Sequence, residues 1–221
     1  QTKHVLVLLV SSDRGLAGGY NTNVIKAVMR EIRRFGENVE IQTICIGKRG
    51  ADAMRRNHQH ILASFTEITN NTKFEEILPI GRLVVEEFVK GTYDRVVVVY
   101  TDFVSAISQR PVVLELLPLG RPEKLEGLGT NAEWGEYKFE PSPREVLDRV
   151  LPRLVETMVY QAILEAAASE HSSRMMAMRS ASDNAGDMID DLTFTFNQAR
   201  QAGITQEIAE ISSGKAALEK K

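Results

Sequence analysis

The sequence predicts an α/β fold in which a mostly parallel sheet, with helices on both faces, precedes one long C-terminal helix. Between residues 4 and 140, short runs rich in β-branched residues alternate with stretches of helical apolar spacing. That alternation is typical of parallel sheets built from β-α-β units. After residue 140 the strand-like runs stop and helical spacing continues almost to the C-terminus. We therefore expect a globular domain over residues 1–140 and a helical segment over residues 141–221.

The composition is that of an ordinary globular protein. The 221 residues include 27 Lys plus Arg and 30 Asp plus Glu, which gives a net charge of −3. Because nucleic-acid binders draw much of their affinity from a basic surplus, no nucleic-acid partner is expected. No apolar run reaches the roughly 18 residues that a bilayer span needs. The single cysteine, Cys45, excludes a disulfide framework and is expected to be a buried apolar residue.

Apolar spacing predicts eight elements before residue 121. Strands are expected over residues 4–10, 39–46, 61–68, 95–100 and 111–117, and helices over residues 22–35, 49–56 and 74–89. Asn21 or Asn23 is expected to cap the first helix, and Pro79 to mark a break or a restart within the third. The last strand is expected to be antiparallel, because the gap before it is too short for a helical crossover. A glycine-rich loop is expected over residues 121–135.

The segment after residue 140 predicts a short helix over residues 143–150 and then a much longer one. Pro152 suits the first turn of a helix, where a missing N–H costs nothing. No proline follows it, so the long helix is expected to run from Pro152 to about Ser213. Such a helix, on the order of 90 Å long, exceeds what a domain of this size can bury.

One face of the long helix carries a stripe with alternating three- and four-residue spacing. That spacing is the a/d pattern of a coiled coil, which needs a partner helix to cover it. Many of the side chains are small or flexible, which favours an adjustable contact over a tight homodimer. The alternative is a helix docked on its own domain. The predicted seam consists of Met175, Met178, Ser182, Ala185, Ile189, Leu192, Phe196 and Ala199.

A glycine-rich turn lies between the first predicted strand and the first predicted helix, where phosphate-binding loops occur in α/β proteins. Its glycines are Gly15, Gly18 and Gly19, a spacing that matches neither the dinucleotide fingerprint nor the P-loop. A structural turn is therefore preferred, in which Asp13 and Arg14 pair with each other or cap the turn. The alternative function is a nucleotide- or small-molecule-binding domain that uses the helix as an oligomerisation arm.

The sequence contains no recognisable catalytic or metal-binding constellation. His58 and His60 are expected to share a strand face, but no third ligand is near them in sequence. The dipeptide Glu170-His171 lacks the second histidine of a zinc-protease motif. We therefore expect no catalytic residues, no cofactor and no metal, and a protein that is not itself an enzyme.

Two segments resemble the gamma subunits of F-type ATP synthases. The turn Ser12-Asp13-Arg14-Gly15-Leu16-Ala17-Gly18-Gly19-Tyr20-Asn21 resembles the family's S-D-R-G-L-C-G-G-x-N turn, with Ala17 where the family often has Cys. Residues 168–178, 183–185 and 196–208 are similar to the family's C-terminal helix. The two motifs also occur in the family's order and with its separation.

The resemblance implies a Rossmann-like domain flanked by long N- and C-terminal helices, which wind into an antiparallel coiled coil. This coiled coil is the rotor shaft that couples proton flow through the membrane sector to ATP synthesis or hydrolysis. The implied partners are the catalytic alpha and beta subunits, the epsilon subunit and the membrane c-ring. Because the chain starts at Gln1 without an initiator Met and enters a strand at once, we expect its N-terminal helix to be missing.

The resemblance also implies roles for single residues. Arg200 and Gln201 match the family's Arg-Gln pair that hydrogen-bonds loops of the catalytic subunits, and Thr205 and Glu207 match further polar contacts. The glycine-rich turn is implied to be structural, with no nucleotide bound to gamma itself. The expected location is peripheral, at the cytoplasmic face of a bacterial plasma membrane, with the mitochondrial inner membrane as the alternative.

Overall fold

The computed structural model describes residues 2–36, 38–69, 72–120 and 140–218. The elements in chain order are β1 (His4–Val10), α1 (Tyr20–Phe35), β2 (Glu40–Ile46), α2 (Lys48–Arg56), β3 (His60–Phe65), α3 (Phe74–Val89), β4 (Arg95–Ser105), β5 (Ser108–Leu117) and α4 (Pro143–Leu218). The eight elements predicted before residue 121 are confirmed in type, with ends that differ by a few residues. The loop predicted over residues 121–135 lies outside the described residues.

The five strands form one sheet in the order β3-β2-β1-β4-β5. β1 pairs in parallel with β2 and β4, and β2 pairs in parallel with β3. β5 is antiparallel to β4, as the short connection predicts. In the central strand β1, every residue from Val5 to Val10 is fully buried, as expected for a strand covered on both faces. The predicted α/β fold with a mostly parallel sheet is therefore confirmed.

Helices cover both faces of the sheet, and the alternation of side chains along β1 supplies one core on each side. On one face, Val7 belongs to a core with Met54 of α2 and with residues of α1. On the other face, Leu8 belongs to a core with Ile80 of α3 and Ile163 of α4. The first part of α4 is therefore an integral layer of the sheet domain.

Two prolines lie inside helices at positions where the sequence predicts an interruption. α3 continues through Pro79, and α4 begins at Pro143 and continues through Pro152. The predicted break at Pro79 and the predicted restart at Pro152 are therefore wrong. A proline removes one backbone hydrogen bond from a helix. Burial of neighbouring side chains such as Ile80 and Val155 offsets that loss, because tertiary packing supplies most helical stability in proteins.

The chain divides into two compact units, Gln1–Met176 and Ala177–Lys221. The first unit contains the sheet, α1 to α3 and the part of α4 up to Met176. The second unit contains the rest of α4, whose described side chains are almost all exposed. The predicted boundary at residue 140 separates types of element rather than compact units, and it stays a prediction. Within the described ranges, no helix has the length and apolarity that a membrane crossing needs.

Candidate functional site

The glycine-rich turn between β1 and α1 binds the N-terminus of α2. Oδ1 of Asp13 accepts a hydrogen bond from the N–H of Lys48, the first residue of α2, at 3.0 Å. The hydroxyl of Ser11 accepts a hydrogen bond from the N–H of Gly50 at 2.8 Å. N–H groups of a first helical turn have no partner within their helix and attract anions. Here the chain's own oxygens occupy that helix terminus.

Asp13 also holds the segment that follows β3. Its Oδ2 accepts a hydrogen bond from the N–H of Glu67 at 2.8 Å. Both carboxylate oxygens of Asp13 are thus engaged by backbone N–H groups, and the neighbouring Arg14 is exposed. These hydrogen bonds join the segments that follow β1, β2 and β3, at the carboxyl end of the parallel strands. That edge of the sheet is where α/β proteins place ligands.

Close backbone packing explains several glycines around the turn. Gly18 has a φ of 54°, and Gly47, which precedes α2, has a φ of 94°, so both adopt the conformation that favours glycine. A Cβ on Gly47 would overlap the carbonyl of Ser11. A Cβ on Gly15 would lie 3.0 Å from the guanidinium of Arg49. Substitutions at these positions therefore require the turn or its neighbours to move.

The start of α1 differs from the sequence prediction. Gly19 is the N-cap residue and no side chain caps the helix. Oδ1 of Asn21 instead accepts a hydrogen bond from the N–H of Ser12 at 3.1 Å, and Nδ2 of Asn21 donates to the Ser12 hydroxyl at 2.7 Å. The predicted cap at Asn21 or Asn23 is wrong, because Asn21 lies inside the helix and binds the turn that precedes it.

A buried polar cluster, which the sequence does not predict, lies where α4 meets the same turn. Glu170 is only 1% exposed, and its Oε1 accepts a hydrogen bond from Nη2 of Arg174 at 2.7 Å. The same Nη2 donates to the carbonyl of Gly15 at 3.4 Å. Tyr20 and Thr101, each 3% exposed or less, complete the cluster from α1 and β4. The carboxylate at residue 170 thus belongs to a buried ion pair and not to a metal motif.

Three oxygens of this cluster have no hydrogen-bond partner among the described residues. They are Oε2 of Glu170 and the hydroxyls of Tyr20 and Thr101. Burial and the negative charge of Glu170 raise the pKa of Tyr20 far above its ordinary value, and the adjacent Thr101 hydroxyl and Arg174 offset only part of that rise. Tyr20 is therefore a neutral phenol at any physiological pH.

The histidines and the cysteine are placed as ordinary residues of the fold. His58 lies in a turn with a φ of 55°, whereas His60 begins β3, so the expectation that they share a strand face is wrong. Over the ranges that the structure describes, no three His, Cys, Asp or Glu residues lie together as metal ligands would. Cys45 is fully buried in the core, and burial raises its pKa to about 11.

The predicted seam lies on α4, and its side chains are exposed. The exposed seam residues are Met175, Met178, Ser182, Ala185, Ile189, Leu192, Phe196 and Ala199. Further exposed apolar side chains of the second unit are Met188, Phe194, Ile204, Ile208 and Ile211. Large exposed apolar surfaces of this kind mark interaction sites in soluble proteins.

The four predicted contact residues lie within two turns of α4. Arg200 and Glu207 are seven residues apart, about 10 Å along the axis, and therefore lie on the same side of the helix. Gln201 and Thr205 are four residues apart and lie on the adjacent side. All four side chains are exposed. The helix thus presents cationic, anionic and amide groups beside its apolar residues.

The chain matches known proteins over almost its whole length. The family model described as ATP synthase matches residues 1–218. The chain is 43% identical over 215 residues to the ATP synthase gamma chain of Roseiflexus sp. strain RS-1, which covers 97% of this chain and 72% of that protein.

Solved structures share the fold. The central stalk and c-ring structure of Tetrahymena thermophila mitochondrial ATP synthase contains a chain with a TM-score of 0.64 and 25% identity, covering 82% of this chain and 78% of that one. The Euglena gracilis mitochondrial ATP synthase in rotational state 3 contains one with a TM-score of 0.69 and 20% identity, covering 98% of this chain and 73% of that one. By its family match and its curated relatives, the chain belongs to the ATP synthase gamma chain family.

Proposed function

We propose that the chain is the central rotor-stalk subunit of an F-type ATP synthase. It couples proton flow through the membrane sector to ATP synthesis or hydrolysis in the alpha–beta hexamer by rotating within it. Membership in the gamma chain family carries this proposal. The chain supplies no active site of its own, since its task is to change the conformations of catalytic subunits that bind the nucleotides.

The second unit of α4 offers two kinds of surface that suit a shaft. Apolar side chains such as Leu192 and Ile208 attract without a fixed direction, which permits turning. Polar side chains such as Arg200 bind in a fixed geometry, because the planar guanidinium matches carboxylates and carbonyls only in certain orientations. An asymmetric shaft shifts three equivalent subunits to different conformations only if its contacts with each of them differ.

Each part of the chain is assigned a different partner in the complex. We propose that Arg200, Gln201, Thr205 and Glu207 contact loops of the alpha and beta subunits. The sheet domain binds the epsilon subunit and the membrane c-ring. The seam between Met175 and Ala199 is one half of an antiparallel coiled coil within the shaft. The protein is peripheral, at the cytoplasmic face of a bacterial plasma membrane, with the mitochondrial inner membrane as the alternative.

Co-purification tests this proposal. The chain is expressed with tagged alpha, beta and epsilon subunits of the same source, and the captured complex is sized by light scattering. We expect stoichiometric capture. Capture of epsilon alone would limit the interaction to the sheet domain. Capture of no subunit by a folded chain would contradict the rotor assignment, and a titration with ATP, ADP and NAD would then test the nucleotide-binding alternative.

A double substitution tests the assigned contacts. In the assembled complex, Arg200→Ala with Gln201→Ala is expected to lower ATP synthesis and ATPase turnover about tenfold or more, because charge-assisted hydrogen bonds at a desolvated interface contribute about 2 kcal/mol or more. The circular dichroism spectrum should not change, since both side chains are exposed. The matched control is Arg144→Ala with Asp148→Ala, an exposed pair on the same helix. Unchanged turnover in the assembled double variant would contradict the assignment.

A further inference from the structure

Two side-chain hydrogen bonds join α4 to β4 and β5 near the end of the first unit. The hydroxyl of Ser169 donates a hydrogen bond to the carbonyl of Thr101 on β4 at 3.1 Å. One turn later, the hydroxyl of Ser173 donates to Oε1 of Gln109 on β5 at 3.0 Å. We call the four α4 residues Ser169, Glu170, Ser173 and Arg174 the polar clamp.

The earlier part of α4 packs differently. Its buried face consists of side chains such as Ala162, Ile163 and Ala166, which belong to the apolar core. Close packing fixes which side of the helix faces the sheet, but a single apolar contact has no preferred direction and changes little over a small rotation. A hydrogen bond, by contrast, weakens steeply when its angle changes. The polar clamp therefore adds, to the restraint from the packed apolar face, one that acts on small rotations of the helix.

The Glu170–Arg174 pair strengthens this restraint. Both side chains are largely buried, at 2% and 18% exposure, so water does not compete effectively for the 2.7 Å contact. Such pairs add little net stability, because desolvation offsets the attraction, but a displaced buried charge is strongly unfavourable. Arg174 also reaches the carbonyl of Gly15. A rotation of α4 would move both charges together, since they lie on the same helix, and would break the contact of Arg174 with the carbonyl of Gly15.

Polar groups also line the space beside Ser173 of the polar clamp. A cavity of about 110 Å³ lies between α1, β4, β5 and α4, and it is lined by residues that include Tyr20, Thr101, Gln109 and Ser173. It is large enough for several ordered waters, which commonly satisfy buried polar groups.

We propose that the polar clamp is a rotational lock, which fixes α4 about its own axis on the sheet domain so that torque passes along the helix without slippage. Glu170 is the positioning residue of this lock, since it holds Arg174 against the turn. This inference rests on the proposed rotor function. The lock lies just before Met176, where the first compact unit ends and α4 continues.

The chain alone provides the first test. Spin labels on Lys48→Cys and Met175→Cys, both exposed positions of the first unit, report the distance between α2 and α4. Buried Cys45 stays unlabelled. Glu170→Gln keeps the side-chain shape and removes the charge, and it is expected roughly to double the width of the distance distribution, because the helix then samples several angles. An unchanged width would overturn the lock.

Two further variants make that test decisive. Asp148→Asn alters an Arg–carboxylate pair with the same four-residue spacing on the exposed surface of the same helix, and it should leave the width unchanged. Equal broadening in this control would overturn the assignment to the clamp. If Glu170→Gln does not fold, Ser173→Ala, which removes only the bond to Gln109, takes its place and is expected to broaden the distribution by a smaller factor.

The assembled complex provides the second test, which separates the lock from the rotor function. With Glu170→Gln, ATP hydrolysis should persist while the number of protons pumped per ATP falls at least twofold. Normal pumping by a variant whose distance distribution is broad would overturn the role in torque transmission and leave the rotor function intact. Failure of the unsubstituted chain to assemble or couple would instead contradict the rotor function itself.

Discussion

The two stretches of α4 have similar sequence patterns and different environments. Ile163, in the first unit, is fully buried in the core between α4 and the sheet, whereas Ile189, in the second unit, is 63% exposed. Both are isoleucines on an amphipathic face of the same helix. The first stabilises this chain's own fold. The second contributes almost nothing to it and is available to another helix or subunit.

The difference shows which part of the helix is stabilised by packing within this chain. An isolated helix gains little from propensity and depends on the packing of its apolar face. Residues up to Met176 have that packing within the chain, and the stretch from Ala177 presents its apolar residues to solvent. Among the described residues, the first unit therefore buries its apolar side chains within the chain, while the second unit leaves most of its own exposed.

The largest expected contrast involves glycines. Gly47→Ala forces a Cβ into the carbonyl of Ser11 at a φ of 94°, so we expect a loss of stability of more than about 3 kcal/mol or a failure to fold. Gly186→Ala, on the exposed stretch of α4, has no neighbouring atom within 4 Å and should stabilise the helix by up to about 1 kcal/mol. Urea unfolding followed by circular dichroism measures both. Similar changes in the free energy of unfolding for the two variants would contradict the difference in packing between Gly47 and Gly186.

The next contrast uses the same substitution twice on the same helix. Ile163→Ala opens a cavity in the core and should lower the free energy of unfolding by about 2–5 kcal/mol. Ile189→Ala removes an exposed side chain and should change it by less than about 0.5 kcal/mol in the isolated chain. Urea titration of both variants checks this. A large loss from Ile189→Ala would show that the second stretch is already packed.

The smallest expected effect is a pH dependence of stability that comes from one carboxylate of the first unit. Oδ2 of Asp94 accepts hydrogen bonds from the N–H groups of Lys3 and His4, chiefly that of Lys3, and these bonds lower its pKa below the ordinary 3.8. Because the folded-state pKa is the lower one, the stabilisation is complete well above pH 3.8 and is lost as pH falls through the folded-state pKa.

Two variants measure this effect. Asp94→Asn should be less stable than the parent chain near neutral pH and equally stable once the pH lies below the folded-state pKa of Asp94. Asp190→Asn, at an exposed position of the second unit, is the matched control. The midpoints of urea unfolding of the parent chain and the two variants are measured across the acid pH range and compared. A difference in stability between Asp94→Asn and the parent that stays the same at every pH would contradict the role given to the ionised Asp94 carboxylate.

Most of the fold could be predicted from sequence because its signals are local. The continuous β-branched runs of β1 and β4 identify buried strands, and the short gap before β5 gives its direction. The errors occur where tertiary contacts override a local signal. Pro79 and Pro152 remain helical because neighbouring residues are buried. Asn21 binds Ser12, nine residues earlier, instead of capping its own helix.

The candidate site was predicted less completely, for the same physical reason. The spacing of the seam lies within one helix, whereas the four polar contact residues are implied by the family resemblance, and both sets of contacts stay predictions. The polar clamp could not be predicted, because Ser169 and its partner Thr101 are 68 residues apart. Glu170 was visible in the sequence as part of an incomplete zinc motif and of the segment that resembles the family's C-terminal helix, and neither pattern gives its burial or its contacts. Nor does apolar spacing distinguish Ile163 from Ile189, since burial depends on what lies opposite each of them.

Direct observation of rotation tests the central claim that this chain is the rotor. A bead is attached through Ile107→Cys, an exposed position on the β4–β5 hairpin of the sheet domain, while the cognate alpha–beta hexamer is fixed to a surface. On addition of ATP, we expect the bead to turn in one direction and to stop when the nucleotide is exhausted. A bead that stays still while the assembled complex hydrolyses ATP would contradict it.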